Sequence, residues 1–341
     1  RDGRGYTFNE RFRRQYYPDQ PSVLGQPFRI ADPKPPHTTR IFVLGESAAL
    51  GTPNPTYGFA SILEVLLRAQ YPQRNFEVVN AAMRGINSHI IRHIARDCAR
   101  HEPDLFLVYA GNNEVVGFGA PGPGSGLASQ NLSLIRAKQV CKRTRLVQLL
   151  ESALRRLRPK APEEPDADFF RNHRLAFDDP RREAVYRNFQ VNLADLCAGL
   201  SAAGTPVVLS TVPVNLRDFP PLASVHRPSL GSEEKAVWEG AYRQGVAAEA
   251  AGDWLPAVDA YRKAAGVDDH HAELHFRLGR CLLALQRADE ARPHFQWACD
   301  WDALQFRADR RVNRVIRETA ARFGARGVRL VDAETALSTS P

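Results

Sequence analysis

Three short segments of this chain carry residue types that together can do acyl chemistry. Gly45-Glu-Ser47-Ala-Ala-Leu-Gly51 puts a hydroxyl on a glycine-flanked turn. Asn80-Ala-Ala-Met-Arg-Gly85 ends in a glycine whose amide a ligand can approach closely, and Gly111-Asn-Asn113-Glu114 offers a side-chain amide donor. A hydroxyl nucleophile beside three N–H donors (the amides of Ser47 and Gly85 and the side chain of Asn113) is what an acyl-transfer site requires. Taken singly, each segment has a plain structural reading: a helix N-cap, a turn glycine and a loop cap.

The elements around these segments make them a set. Arg40-Ile-Phe-Val-Leu-Gly45, Phe76-Glu-Val-Val-Asn80, Asp104-Leu-Phe-Leu-Val-Tyr-Ala110, Thr205-Pro-Val-Val-Leu-Ser-Thr211 and Val328-Arg-Leu-Val331 are short apolar, β-branched runs. Helical spacing separates them at Tyr57 to Gln70, Ser88 to His101 and Arg182 to Ala203. Strands alternating with helices predict an α/β fold with a parallel sheet, five strands in the order 2-1-3-4-5. Ligands of such sheets bind beyond the carboxyl ends of the strands, where all three segments fall.

In this order and at these places the segments resemble the SGNH (GDSL-type) hydrolase superfamily, over roughly residues 38 to 120. The resemblance implies a three-layer flavodoxin-like fold, a serine nucleophile at Ser47 and an oxyanion hole from Ser47, Gly85 and Asn113. It departs from the family at Gly-Glu-Ser, where the family has Gly-Asp-Ser, and at Gly-Asn-Asn-Glu, where it has Gly-x-Asn-Asp. Both swaps keep the charge and lengthen the side chain. The resemblance also implies an Asp-x-x-His shortly after the fifth strand. No histidine follows His294, so the general base is expected just beyond Pro341. Within the sequence the substitutes are His226, after the fourth strand, and His89, just after Gly85. Asn215 and Arg217 after the fourth strand, and Arg307 in Phe306-Arg-Ala-Asp309, are candidate substrate contacts. His270, His271, Glu273 and His275 cluster in sequence, but solvated polar residues are the default reading there, and neither a metal nor a cofactor is expected.

Six positions recur at a spacing of 34: Tyr242/Phe276, Gly245/Gly279, Ala257/Ala291, Tyr261/Phe295, Ala264/Ala298 and Asp268/Asp302. This pattern resembles the tetratricopeptide repeat, and its place between the fourth and fifth strands is like that of a bacterial subgroup of SGNH hydrolases. Two repeats, with Phe306 to Phe323 as a capping helix, are expected to lean on the α/β domain, because so short an array buries little core alone. The implied organisation is an extended arm over 1–37, a hydrolase-like domain over 38–230 and 325–341, and the repeats with their cap over 231–324.

The chain of 341 residues is 43% apolar and 25% charged, which excludes a disordered polymer, and its longest apolar run, Leu105 to Gly111, is far too short to span a bilayer. Its five scattered cysteines form no CxxC pair. The formal charge is +8, concentrated in Arg1 to Arg14 and in Arg136 to Lys160. The second stretch alternates cations with Leu146, Leu149, Leu150 and Leu154. Its plain reading is a solvated helix packed on its own domain; the other is a peripheral membrane contact. Nucleic acid is disfavoured because no aromatic or glycine-rich reading motif accompanies the charge. The expected partners are a small-molecule acyl ester, sugar or lipid substrate and a peptide or protein at the repeats, and the resemblance favours the cell envelope or periplasm. Hydrolysis, O-acyl transfer by the same site, and a catalytically dead scaffold remain three distinct outcomes.

Overall fold

The computed structural model of the protein describes residues 5–9, 12, 15–16, 25–117, 119–121, 125–155 and 174–338. Residues 1–4, 10–11 and 13–14 of the first basic stretch, and residues 156–160 of the second, lie outside them. In chain order, β1 (Gly5–Thr7) and β2 (Arg29–Ala31) are followed by β3 (Thr38–Gly45), α1 (Ser47–Leu50), α2 (Phe59–Gln70), β4 (Asn75–Asn80), α3 (Ser88–Cys98) and β5 (Leu105–Tyr109). Then come α4 (Leu132–Cys141), α5 (Arg145–Arg155), α6 (Pro180–Ala202) and β6 (Val207–Ser210). The helices α7 (Ser232–Ala251), α8 (Trp254–Val267), α9 (Ala272–Ala284) and α10 (Ala288–Asp300) precede α11 (Arg310–Phe323), β7 (Val328–Val331) and α12 (Ala333–Ser338).

The central sheet is parallel throughout, in the order β4-β3-β5-β6-β7. This is the predicted 2-1-3-4-5 order. Alternate residues of the strands face opposite layers. Phe42, Leu44, Phe106 and Val108 point into the larger core, with Ile90 and Ile91 of α3, Phe189 and Leu193 of α6, and Val312 and Ile316 of α11. Val43 faces the other side, where Ala49 and Leu50 of α1 and Ala60 of α2 cover it.

The expected capping helix is corrected here. α11 does not close the helical array; it packs on α6 and beside β7, and its Val312, Val315, Ile316, Ala320 and Phe323 belong to the sheet's core. An amphipathic helix buries its stripe against the largest apolar surface in reach, and the sheet offers more than the end of a short array.

Helices α7 to α10 pack in sequence order around Trp238, Tyr261, Phe276 and Phe295. The recurring glycines sit under the recurring aromatics: a Cβ on Gly245 would lie 2.5 Å from the Tyr261 ring, and one on Gly279 would lie 3.1 Å from that of Phe295. This unit is tied to the sheet layer at its last turn. Buried Arg182 of α6 donates to the carbonyls of Asp300 and Asp302, to Gln305, and at 3.2 Å to the carboxylate of Asp309, which also accepts from Tyr186.

The arm does more than extend. β1 pairs antiparallel with β2, and Gly25 forms an isolated bridge with Met83, which sets the arm beside the loop that follows β4.

Candidate functional site

The carboxyl ends of β4, β3 and β5 lie side by side, and register explains it. Met83 N–H donates to Gly45 O at 3.2 Å on one flank, and Gly45 stands opposite Tyr109 on the other. A Cβ at residue 45 would come within 2.1 Å of Tyr109 O and 2.5 Å of Ala49 Cβ, so only glycine lets the chain turn from β3 into α1 there. Ser47 is the first residue of α1, half-buried, and no described residue hydrogen-bonds its hydroxyl. Gly85 is exposed and holds φ +70°, a conformation that favours glycine.

Two buried carboxyls lock these loops together. Glu46, 0% exposed, accepts the backbone N–H of Gly111 at 3.2 Å, of Asn112 at 2.8 Å and of Asn113 at 3.0 Å. The turn bearing Ser47 is thereby fixed to the loop bearing Asn113. Asn113, itself buried, donates one Nδ2 proton to Ile86 O at 2.9 Å, which fixes its loop to the one bearing Gly85. Its second Nδ2 proton has no partner among the described residues, so one amide donor is left for a ligand. Next to it, Glu114 accepts from Ser88 N–H and Ser88 Oγ, both at 2.8 Å. Burial raises the Glu46 carboxyl well above its ordinary value, and the neighbouring Glu114 raises it further. Burial likewise raises Glu114, to about 7. Sequence reading noted both acids only as longer versions of expected aspartates and gave them no task.

Ser47, Gly85 and Asn113 are therefore on three loops joined by hydrogen bonds. The other candidates each have partners of their own. His89 is buried on α3 with Nδ1 3.0 Å from Asn192 Nδ2 of α6, and burial lowers its pKa to about 4. His226 has Nδ1 2.8 Å from Asp268 and stands edge-on to Trp238 at 4.6 Å, so its ring belongs to the helical unit. Asn215 and Arg217 are taken by their own Asp218, which accepts from Arg217 Nε at 3.0 Å and donates its N–H to Asn215 Oδ1 at 2.9 Å. Arg307 is buried; it donates to Phe219 O at 2.6 Å and pairs with Asp302 at 3.3 Å, which closes a loop rather than a substrate contact. Its neighbour Ala308 nonetheless reaches the candidate site, donating to Asn112 Oδ1 at 3.3 Å.

Among the described residues, one group has metal-ligand spacing: Asp268, Asp269 and His270, with ligand atoms within 4.8 Å of one another. Asp268 already bonds His226, Arg227 N–H and His270 N–H, the pattern of an acid holding a helix junction. His275 and His294 face each other at 2.9 Å between Nδ1 atoms and stack beside Trp297. Both cluster far along the chain from the three loops and join no carboxylate of that site.

No protein-family model matches this sequence, and no curated protein matches it either. Among solved structures, TesA aligns over 52% of this chain and 62% of its own, at 15% identity and a TM-score of 0.29. AlinE4, an SGNH-hydrolase family esterase, aligns over 52% of this chain and 61% of its own, at 15% identity and a TM-score of 0.28. The chain thus spans less than two thirds of either structure.

Proposed function

We propose that this protein is a serine hydrolase of SGNH type that cleaves an ester through an acyl-enzyme on Ser47. The observation that carries the reading is the bonding of the three loops: Glu46 to the amides of Gly111 to Asn113, and Asn113 Nδ2 to Ile86 O. It supports a preorganised set of donors around a hydroxyl that no described residue engages. In this reading Ser47 Oγ attacks the ester carbonyl carbon while a base takes its proton. The carbonyl oxygen becomes an oxyanion, received by the N–H groups of Ser47 and Gly85 and by Nδ2 of Asn113. Collapse expels the alcohol, which takes up the proton, and water then releases the acid from Ser47. An alcohol in place of that water would make the same site an O-acyltransferase.

The base in this reading is a histidine, as the resemblance implies. Among the described residues, His89 is buried on α3 against Asn192, and His226 is packed edge-on to Trp238 of the helical unit. The α7–α10 unit is read as two tetratricopeptide-like repeats, supported by the paired Gly245/Tyr261 and Gly279/Phe295 contacts. An envelope location goes with the same reading.

The test is a fluorophosphonate probe with the full-length gene product, followed by hydrolysis of an aryl acetate. Labelling at Ser47 and its loss in Ser47→Ala are expected, with hydrolysis falling at least ~1000-fold. A protein that takes no label at Ser47 would be a scaffold, and the hydrolase reading would be wrong.

A further inference from the structure

We propose that the outward face of α5 seats this protein on an anionic lipid bilayer. The helix is turned the wrong way round for a soluble domain. Leu146 and Leu149 are each 68% exposed, Leu150 is 56% and Leu154 is 54%, with exposed Ala153 among them. Val147, Gln148 and Glu151 occupy the half-buried side instead. At 100° per residue the exposed apolar positions fall on one continuous stripe, while the inward side is mostly polar. Gln148 Nε2 donates to Lys142 O at 2.9 Å, and Glu151 pairs with Lys142 Nζ at 3.3 Å. A domain helix buries its apolar stripe and solvates the rest. Here the reverse holds: the helix meets its own domain through Gln148 and Glu151 and leaves its leucines outward. The preceding helix continues the feature, with Leu134 and Val140 of α4 each 60% exposed.

Charge names the occupant. Between residues 132 and 155 the only acid is Glu151, already paired with Lys142. Lys138, Arg143 and Arg145 are exposed, and no ion pair holds them among the described residues. An apolar stripe rimmed by free cations fits the boundary between acyl chains and anionic headgroups. A second copy of the same face fits poorly, because docking two such faces brings like charges together. Nucleic acid would use the cations but leave the leucines wet. The helix lies on the surface rather than across it: 11 residues reach about 16 Å, roughly half a bilayer core. No described helix is long and apolar enough to cross a membrane.

The experiment is co-sedimentation of the full-length protein with vesicles of phosphatidylcholine plus phosphatidylglycerol, and with phosphatidylcholine alone. Binding to the anionic vesicles, weakened by added salt, is expected. Leu149→Ser combined with Leu150→Ser should cut that binding ~10-fold or more, since buried apolar area drives insertion. Arg143→Gln combined with Arg145→Gln should cut it by roughly 25-fold, about fivefold per cation, and make residual binding less sensitive to lipid charge. All four side chains are exposed, so thermal melting should not move. The proposal is overturned if the protein ignores both vesicles, or if the leucine variant binds as the wild type does. It is equally overturned if that variant instead dissolves a dimer seen by light scattering. Ester hydrolysis plays no part in this readout, so the result is independent of the function proposed for Ser47.

Discussion

Two loops at the same end of the sheet are each organised by one acid, and they differ in everything else. After β3, Glu46 is wholly enclosed and accepts three backbone N–H groups from a loop 65 to 67 residues away. After β6, Asp218 is exposed and binds its own neighbours, Arg217 and Asn215. The first is a cross-link between separate parts of the chain, inside a medium where an unpaired amide is costly. The second orders a few residues in water, where each bond replaces one to solvent. The comparison teaches where rigidity resides. The β3, β4 and β5 loops have their positions imposed on one another, whereas Asp218 orders only its own short stretch of the β6 loop, whose flanks are held by Asn313 and Arg307 instead.

Removing the buried acid is the hardest blow to that contrast. Glu46→Ala strands three amide donors of Gly111 to Asn113, at about 1–3 kcal/mol for each group left without a partner, less whatever water enters. A loss of roughly 3–5 kcal/mol in urea unfolding is expected, at the upper end for a single substitution. Glu46→Gln keeps an acceptor but turns an N–H pair toward donors, and should fall between the two. A Glu46→Ala protein that melts like the wild type would dissolve the cross-link and the difference between the loops.

Much of the frame is legible in the sequence. The strands announce themselves because runs such as Ile41 to Leu44 are short, apolar and β-branched and end at a glycine, as buried strands do. The α7–α10 unit does so because Gly245 and Gly279 must recur wherever Tyr261 and Phe295 need room. Glu46 and Glu114 were invisible as cross-links, since an acid in a glycine-rich turn reads as solvated unless its distant amide partners are known. Helix periodicity likewise shows that α5 and α11 have apolar faces, but not that one faces outward and the other lies on the sheet. The partners of Arg307 and His226 lie on distant segments, Phe219 and Asp268, and no local pattern encodes them, whereas Asn215 is held by Asp218 three residues on.

Proton linkage sharpens the comparison at the next level. Burial holds the folded Glu114 carboxyl near 7, above its ordinary 4.5. The folded state therefore retains a proton that the unfolded chain has lost. The associated stability is present below about pH 4.5 and disappears as pH rises through about 7. Glu114→Gln cannot titrate, so the stability difference between wild type and this variant should change across that window and be flat above it. His89 runs the other way. Its folded pKa is lowered to about 4 from 6.5, so stability is lost as pH falls through that range, and His89→Gln should remove the dependence. Urea midpoints at half-unit pH steps measure both. Parallel curves for wild type and Glu114→Gln would mean that this carboxyl is open to water.

The smallest effect belongs to the other loop. The hydrogen bond from the Arg217 guanidinium lowers the Asp218 carboxyl, yet both side chains stand in solvent. Each partner keeps most of its hydration in the unfolded chain, so pairing exchanges water for a contact of similar worth and fixes two side chains in the process. Asp218→Asn keeps the shape and an acceptor for the Arg217 guanidinium while removing the charge. Its urea midpoint should coincide with that of the wild type within fitting error, and added salt should not separate them, because screening acts on an attraction that water has already weakened. If instead the variant were destabilised as much as Glu46→Gln, the β6 loop would be anchored by this acid too. Burial would then no longer be what separates the two regions.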